Sequence, residues 1–360
     1  MQHPTRMKAL VATADAQWQL QTDVPIPDLM DGEVLIQITA VALNPSDIKQ
    51  LDNCPVEGTI CGMDLAGVVV KVKRNVRKDL RIGDRVSAFV FGCNPSRCMN
   101  GAFAEYAAAK AEFCIKLPES VPPPEGASLS VGLMTCGLAL RSLGLVNEAA
   151  EREPFHAPSS RTHVLVYGGS TATGTLAIQL LRYLNYIPLA VCSPRNFLLA
   201  ERAGAAQCFD YKTPNIIMEV REIIGESLCY VLDCIGSPNS TTACYGVIGR
   251  DGGKYTSLAP FPDRLRMRRK NVRPEWILGY SVFGTNVNLN KEYLKEASPQ
   301  DGEFAVAWTL EMESLIWQSR LQSHPIQIQP DGLRGIKRDK DLLKTGGISG
   351  KKLVYIVQDT

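Results

Sequence analysis

Histidine is nearly absent from this chain, with 4 in 360 residues and none between residues 4 and 155. That scarcity argues against zinc chemistry, because no His/Glu pair or cysteine cluster has ligand spacing; Cys54 and Cys61 lie seven apart, Cys93 and Cys98 five apart. No metal site is expected. His3, His156, His163 and His324 fall outside the strong motifs and are expected to be structural or exposed. Charge of one sign is lacking too: 39 Lys and Arg against 37 Asp and Glu leave a net +2, with no global field suited to nucleic acid or a membrane surface. No apolar run approaches the ~20 residues of a spanning helix, and Met1 to Val11 carries scattered charges where a signal peptide has an apolar core. The 11 cysteines are odd in number, dispersed among hydrophobic neighbours and without paired spacing, so reduced thiols in a cytoplasmic protein are the expectation.

What is present divides by period. Residues 7 to 43 alternate apolar and polar character in MKALVAT and EVLIQITAVAL, with a Pro-rich turn around Pro25 and Pro27 between them. Short glycine-punctuated strands follow from Gly62, Ile82 and Gly101, which together describe a small barrel-like antiparallel domain. Asn44-Pro45-Ser46-Asp47-Ile48-Lys49 breaks the strand and opens a helix, with Ser46 or Asp47 near its N-cap. Pro122-Pro123-Pro124 ends the β block, and residues 127–143 have apolar residues at helical spacing.

A loop of mixed charge from Asn147 to Arg161 then leads to βαβ periodicity. Strands are expected at Val164 to Tyr167, Pro188 to Cys192, Ala205 to Phe209, Tyr230 to Cys234, Gly252 to Leu258 and in WILGYSVFG, with helices between them. Glu303 to Gln322 reads as a long helix and Leu343 to Val357 as a closing strand with no partner of its own. Returning that strand to the first domain gives an α/β chain of two domains. A β-rich domain over 1–160 is interrupted by a doubly wound domain over 161–295 and resumed over 296–360.

Tyr167 is followed by Gly168-Gly169-Ser170-Thr171-Ala172-Thr173-Gly174, then by Leu176, Ala177, Leu180, Leu181 and Leu184 at helical spacing. Strand, tight turn and helix put free N–H groups at the mouth of a parallel sheet, where a phosphate can sit. Ser170 and Thr171 stand where the dinucleotide fingerprint has its second glycine, while Gly174 could keep the helix close to the strand. The turn alone also reads as an ordinary strand and helix with no ligand. After the next strand an Asp or Glu would accept the ribose 2′-OH of NAD; here Ser193-Pro194-Arg195-Asn196 offers no carboxylate and one guanidinium. NADPH is therefore favoured, with Ser193 and Arg195 on the 2′-phosphate and Tyr211 and Lys212 near enough to help.

Without a metal, hydride addition to a carbonyl needs a strong proton donor at the oxygen. Reduction of an activated C=C bond instead leaves charge on a distant thioester oxygen, which a cation or hydrogen-bond donors can hold. Lys49 is the candidate cation, with a plain surface lysine as the alternative. Thr135 and the backbone around Gly137 come second, unless hydroxyl and glycine serve only tight helix packing. The densest basic run, Arg264 to Lys270 with Arg273, is either a solvated face or a dock for an acidic partner, such as the phosphate of a pantetheine arm or an acidic carrier-protein surface.

These residues resemble the zinc-independent medium-chain dehydrogenase/reductases, and more closely the trans-acting enoyl reductases that serve fungal highly reducing polyketide synthases. The resemblance spans nearly the whole chain and rests on Asn44 to Lys49, Gly62-Met63-Asp64-Leu65-Ala66-Gly67, Gly168 to Gly174, Ser193 to Asn196, Phe209-Asp210-Tyr211 and Ile348-Ser349-Gly350-Lys351-Lys352-Leu353. It implies a GroES-like catalytic domain split by an inserted Rossmann domain. It also implies a monomeric, NADPH-dependent reductase acting on α,β-unsaturated thioesters carried on the acyl carrier protein of a partner synthase. By the same resemblance, Ser46, Asp47, Ile48, Lys49, Ser170, Thr171, Ala172, Thr173, Ser193, Pro194, Arg195, Asn196, Tyr211, Ser257, Leu258, Ile348 and Ser349 would line the NADPH cleft. Leu133, Met134, Thr135, Cys136, Gly137, Leu138, Ala139 and Leu140, with Tyr280, Ser281, Val282, Phe283 and Gly284, would border the acyl channel. A quinone or alkenal reductase acting on free small molecules would use the same fold and cofactor, and a non-catalytic partner protein would keep the nucleotide domain only as a scaffold.

Overall fold

The structure, a computed structural model, describes residues 4–146, 162–290 and 292–358. The loop from Asn147 to Arg161, with His156, and the terminal His3 lie outside the described residues. In chain order the elements are β1 (Arg6–Ala12), β2 (Trp18–Pro25), β3 (Glu33–Ala42), α1 (Pro45–Asn53), β4 (Asp64–Val72), β5 (Arg85–Phe89), β6 (Tyr106–Lys110), β7 (Ile115–Lys116), α2 (Pro123–Gly126) and α3 (Ser130–Leu143). They continue with β8 (His163–Tyr167), α4 (Ala172–Tyr183), β9 (Ile187–Cys192), α5 (Phe197–Ala203), β10 (Gln207–Asp210), α6 (Ile216–Ile224), β11 (Tyr230–Asp233), α7 (Pro238–Val247), β12 (Gly253–Ser257), α8 (Arg264–Arg268) and β13 (Val272–Trp276). The chain closes with β14 (Val287–Asn288), β15 (Leu294–Lys295), α9 (Pro299–Trp317), β16 (Ile326–Gln329), α10 (Gly332–Lys344) and β17 (Lys352–Ile356).

Two compact units result: Met1–Val131 with Val287–Leu294 and Ala305–Thr360, and Gly132–Asn286 with Lys295–Phe304. The division falls inside α3, whereas the sequence reading placed it in the loop before residue 161. Packing explains the difference, since a Cβ on Gly132 would lie 2.7 Å from Leu176 and the Cys136 thiol contacts the Thr173 carbonyl at 3.4 Å, tying α3 to α4. The run Pro123–Leu143 is also 21 residues long and apolar enough by composition to cross a membrane, contrary to the expectation that none would be; 78% of its apolar window is buried inside the protein, which accounts for its character.

In the first unit β3 is the spine of a seven-stranded sheet. One edge pairs antiparallel with β4, and the other takes β6 near its start and β17 near its end, where Val354 lies opposite Ala42. The closing strand thus joins the N-terminal sheet, although 343–344 belongs to α10 and the strand begins only at Lys352. The β2 strand, the short β16 and α10 carry too little alternation or too much charge to stand out in the sequence. Register shifts between Leu35 and Ile36 and between Ile38 and Ala40 bend β3 against β4. Their closest approach requires Gly67, where a Cβ would lie 2.0 Å from the Gln37 carbonyl oxygen.

Cys61 and Cys93 form a disulfide in this unit, 32 residues apart. Reduced thiols throughout were expected, and the pairing corrects that: the turns at Gly62 and Gly92 bring the two cysteines to a Cα separation of 4.6 Å, which linear spacing does not reveal.

The second unit contains six parallel strands in the order β10-β9-β8-β11-β12-β13. Read by strand within the unit this is 3-2-1-4-5-6, the doubly wound arrangement with two mononucleotide-binding halves. The strand expected in WILGYSVFG is displaced: β13 is Val272–Trp276, and Gly279–Phe283 forms a 3-10 turn ending at Gly284, whose φ is +65°. Glycines at both ends favour the turn, and Pro274 is tolerated because β13 is an edge strand.

Gly67→Ala is expected to cost at least about 1–3 kcal/mol, through the clash with backbone that cannot yield. Thermal unfolding measures it, and an unchanged midpoint would show that β3 and β4 do not approach this closely.

Candidate functional site: a glycine turn at the sheet switch point and a buried charge cluster

The strand order reverses between β8 and β11, so the turns after their carboxyl ends open the crevice where sheets of this kind take dinucleotides. After Tyr167 the chain turns through Gly168, at φ +83°, and the N–H groups of Gly168 and Gly169 both donate to the Val191 carbonyl at 2.9 and 3.1 Å. Thr171 is the N-cap of α4. Its hydroxyl donates to the Gly168 carbonyl at 2.8 Å and accepts from Gly174 N–H at 3.0 Å. A Cβ on Gly174 would lie 2.2 Å from that same carbonyl, so the close helix–strand contact foreseen for this glycine is present.

With its hydroxyl bonded to the Gly168 carbonyl and to Gly174 N–H, Thr171 shapes the turn. Ser170, Ala172 and Thr173 are half-buried at the mouth of the turn. As the first two helical residues, Ala172 and Thr173 have N–H groups with no acceptor within the helix.

Asn196 donates its side-chain N–H to Ser170 Oγ at 3.2 Å, which brings the stretches Ser170–Thr173 and Ser193–Asn196 together. Ser193 is half-buried, while Pro194 and Arg195 are exposed, and Arg195 takes part in no ion pair among the described residues. Tyr211 follows the carboxyl end of β10, 44% exposed, with the Lys212 ammonium 5.8 Å from its ring. Ser257 is 1% exposed and its hydroxyl accepts from Ala259 N–H. Leu258, half-buried, is tied by its N–H to the Asp233 carbonyl.

Sequence reading missed Asp233, the fully buried last residue of β11. One carboxylate oxygen accepts from Ile235 and Gly236 N–H, both at 2.9 Å, and the other from the Ser240 and Tyr255 hydroxyls at 2.8 and 2.9 Å. It therefore fixes the second turn of the switch point and the start of α7. The signal was an acidic residue ending an apolar strand just before Gly236, Ser237 and Pro238.

Of the predicted channel residues on α3, Leu133, Met134, Cys136, Gly137, Leu138, Ala139 and Leu140 are buried. Thr135 alone among 133–140 is partly exposed, and its hydroxyl has no protein partner among the described residues. The thiol of Cys136 touches the Thr173 carbonyl, which places this turn of α3 beside the first turn of α4. Burial pushes that thiol well above the ordinary cysteine range. Tyr280, Ser281 and Val282 are buried in their 3-10 turn, with Phe283 and Gly284 half-exposed or less covered.

The first unit holds the remaining predicted residues. The N-cap of α1 is Asn44, two residues before Ser46 and three before Asp47, because Pro45 occupies the first helical position where its missing N–H is harmless. Asp47 reaches back to accept from Asn44 N–H at 2.8 Å. Ser46 and Lys49 are exposed, whereas Asp47 and Ile48 are buried; Lys49 makes no ion pair or hydrogen bond among the described residues. Ile348 is partly buried against the first unit's core and Ser349 is exposed.

Behind α1 lies a buried cluster. Asp64 pairs with Lys352 at 2.5 Å and accepts from Asn44 Nδ2 at 3.1 Å and Val131 N–H at 2.8 Å, while Lys352 also donates to the Ser128 carbonyl at 3.2 Å. Burial, followed by the Lys352 ammonium, pushes His324 down to about 4, keeping it neutral; His163, at the start of β8, is lowered by burial.

One oxygen of Asp47, Oδ1, has no partner. Burial, reinforced by the nearby Asp64 carboxylate and opposed by the Asn44 hydrogen bonds and Lys352, raises Asp47 to about 7. A carboxyl raised on folding costs stability when ionised. The cost is absent below its unfolded value near 4 and is complete above about 7. Asp47→Asn keeps an acceptor for Asn44 and removes the ionisation, so its thermal midpoint should be flat across pH 4–7 where the wild type declines. Equal declines in both proteins would contradict the assignment.

Residues 30–119 match the family model of the alcohol dehydrogenase GroES-like domain. The chain is 41% identical over 358 residues to the trans-enoyl reductase caaB of Aspergillus niger, covering 98% of both proteins. It is 38% identical over 356 residues to the trans-enoyl reductase traG of Penicillium crustosum, again over 98% of both. Among solved structures, a mycobacterial protein complexed with NADPH superposes with a TM-score of 0.71 at 19% identity, over 97% of this chain and 99% of that one. Matches of this extent, together with the split GroES-like sheet and the inserted Rossmann domain, show that the chain belongs to the trans-enoyl reductases, oxidoreductases of the medium-chain dehydrogenase/reductase fold.

Proposed function

We propose that this chain is an NADPH-dependent enoyl reductase acting in trans, delivering hydride to the β-carbon of an α,β-unsaturated polyketide thioester on the acyl carrier protein of a partner highly reducing synthase. The observation that carries this reading is the acid-free end of β9. Arg195 is exposed there, without an ion pair among the described residues, in a stretch hydrogen-bonded through Asn196 to the glycine turn. The residues suit a dinucleotide: Gly168, at φ +83°, makes the tight turn, Gly174 lets α4 pack against that turn, and Ala172 and Thr173 present N–H groups with no acceptor within the helix. That the relatives are trans-enoyl reductases supports the enoyl reaction, and the NADPH complex of a structural neighbour supports the cofactor.

NADPH, when bound, supplies the hydride. In this reading the Ala172 and Thr173 N–H groups and the Ser170 hydroxyl hold its pyrophosphate, while Ser193 and Arg195 hold the 2′-phosphate and so select it over NADH. The Lys49 ammonium and the Thr135 hydroxyl are the two candidates for stabilising the charge that develops on the thioester oxygen, and the α-carbon takes its proton from water.

The test is an NADPH-oxidation assay comparing an enoyl pantetheine thioester, a quinone and a simple alkenal. The thioester should be preferred. Arg195→Ala should raise the KM for NADPH by about tenfold or more with little change for NADH, as expected for loss of a charge-assisted phosphate contact. Lys49→Ala should lower kcat. Preference for the quinone would overturn the thioester reading, and unchanged turnover in Lys49→Ala would remove that residue from the mechanism.

A further inference from the structure

At the opposite edge of the second unit's sheet is an open cleft of ≈ 520 Å³ lined by Arg221, Tyr245, Arg250, Arg268, Arg269 and Asn271. Arg250 and Asn271 sit just before the amino ends of β12 and β13, whereas the glycine turn follows the carboxyl end of β8. A five-residue strand separates the two edges by about 13 Å. The cleft therefore lies apart from the switch-point crevice. It absorbs part of the basic run that remained unexplained in the sequence.

Some of its donors are satisfied within the protein and others are not. Arg269 is locked by bonds to the Tyr245, Ile248 and Gly249 carbonyls at 3.1, 2.8 and 2.5 Å, which also cancel the exposed carbonyl charge at the end of α7. Arg221 donates to the Gly246 carbonyl at 3.1 Å, yet its Nε is buried with no partner. The Tyr245 hydroxyl is likewise buried and unpartnered, in a residue only 2% exposed. Arg268 is exposed and makes no ion pair or hydrogen bond among the described residues. Glu226 is the carboxylate that contacts the set, at 3.7 Å from Arg221 and 3.6 Å from Arg250. Four guanidinium groups against one carboxylate leave a clear positive excess.

An orphaned buried donor costs free energy unless something accepts from it, and two occur here in one basic cleft. Burial pushes the Tyr245 phenol up to about 12 against the pull of Arg266, Arg268 and Arg269, so it remains protonated and able to donate. A tetrahedral oxyanion supplies the acceptors this set lacks, and guanidinium groups bind phosphate oxygens in pairs. We propose that this cleft binds the phosphate group of a phosphorylated small molecule. The inference does not rest on the reductase reading, because none of these residues belongs to the switch-point crevice.

The probes are inorganic phosphate and pyrophosphate, titrated calorimetrically against sodium chloride of equal ionic strength, followed by ADP and 4′-phosphopantetheine to distinguish a nucleotide from a pantetheine source. Saturable binding is expected. The Arg250→Ala/Arg268→Ala double variant should weaken it about tenfold or more, since each arginine contributes a charge-assisted bond. Both side chains are solvent-facing, so this variant should keep the wild-type thermal midpoint. Tyr245→Phe should weaken binding several-fold without loss of stability, because only an unpaired hydroxyl is removed. With the titrations run in saturating NADPH, so that the crevice at the other edge is occupied, Arg195→Ala should leave phosphate binding unchanged. A response to phosphate no larger than to chloride, binding that survives in the double variant, or binding lost only in Arg195→Ala would each overturn the proposal.

Discussion

The first unit depends on an ion pair between residues 288 positions apart. Asp64, at the start of β4, and Lys352, at the start of β17, are both buried, and their contact fixes where the end of the chain meets its beginning. Burying two charges is unfavourable unless remaining lone pairs and protons find partners. Here Asn44, Val131 N–H and the Ser128 carbonyl supply them. The pair thereby sets the N-terminus of α1 and the start of α3 as well as two strands. Lys49 is carried on the exposed side of a helix whose first turn is tied down from behind, and Asp47, with one oxygen unsatisfied, is the strained member of that arrangement.

The second unit solves a comparable problem with one carboxylate instead of a pair. Asp233 has four hydrogen-bond donors around it and no ion-pair partner among the described residues. Its negative charge is consumed in shaping the β11 turn. Across the switch point, Thr171 spends its proton on the Gly168 carbonyl. Both turns are held by hydrogen bonds within the protein, which leaves backbone N–H groups at the start of α4 as the donors without an acceptor in the helix. Preorganisation of this kind lowers the ordering cost of binding.

Much of this was legible in the sequence because it is local. The glycine turn, the acid-free end of β9 and the alternation of strands with helices depend on residues a few positions apart. What escaped is non-local or conformational. The pairing of Cys61 with Cys93, the partnership of Asp64 with Lys352 and the hub at Asp233 are set by chain folding that no spacing rule describes. Ser170 and Thr171 looked like equivalent hydroxyls, and only the N-cap geometry separates a structural one from an available one. The α3 residues proposed as channel wall showed apolar helical periodicity, which core packing produces equally well; burial leaves Thr135 as the accessible member. WILGYSVFG misled through β propensity, where glycines at both ends selected a turn.

Enoyl reduction differs from carbonyl or quinone reduction in where the hydride finishes. The most direct measurement is therefore to supply NADPH deuterated at the transferable C4 position with an enoyl pantetheine thioester and to locate the label in the product by mass spectrometry and NMR. The account predicts a single deuterium at the β-carbon of a saturated thioester. Deuterium at the former carbonyl carbon, or a recovered enoyl substrate with no label, would contradict it.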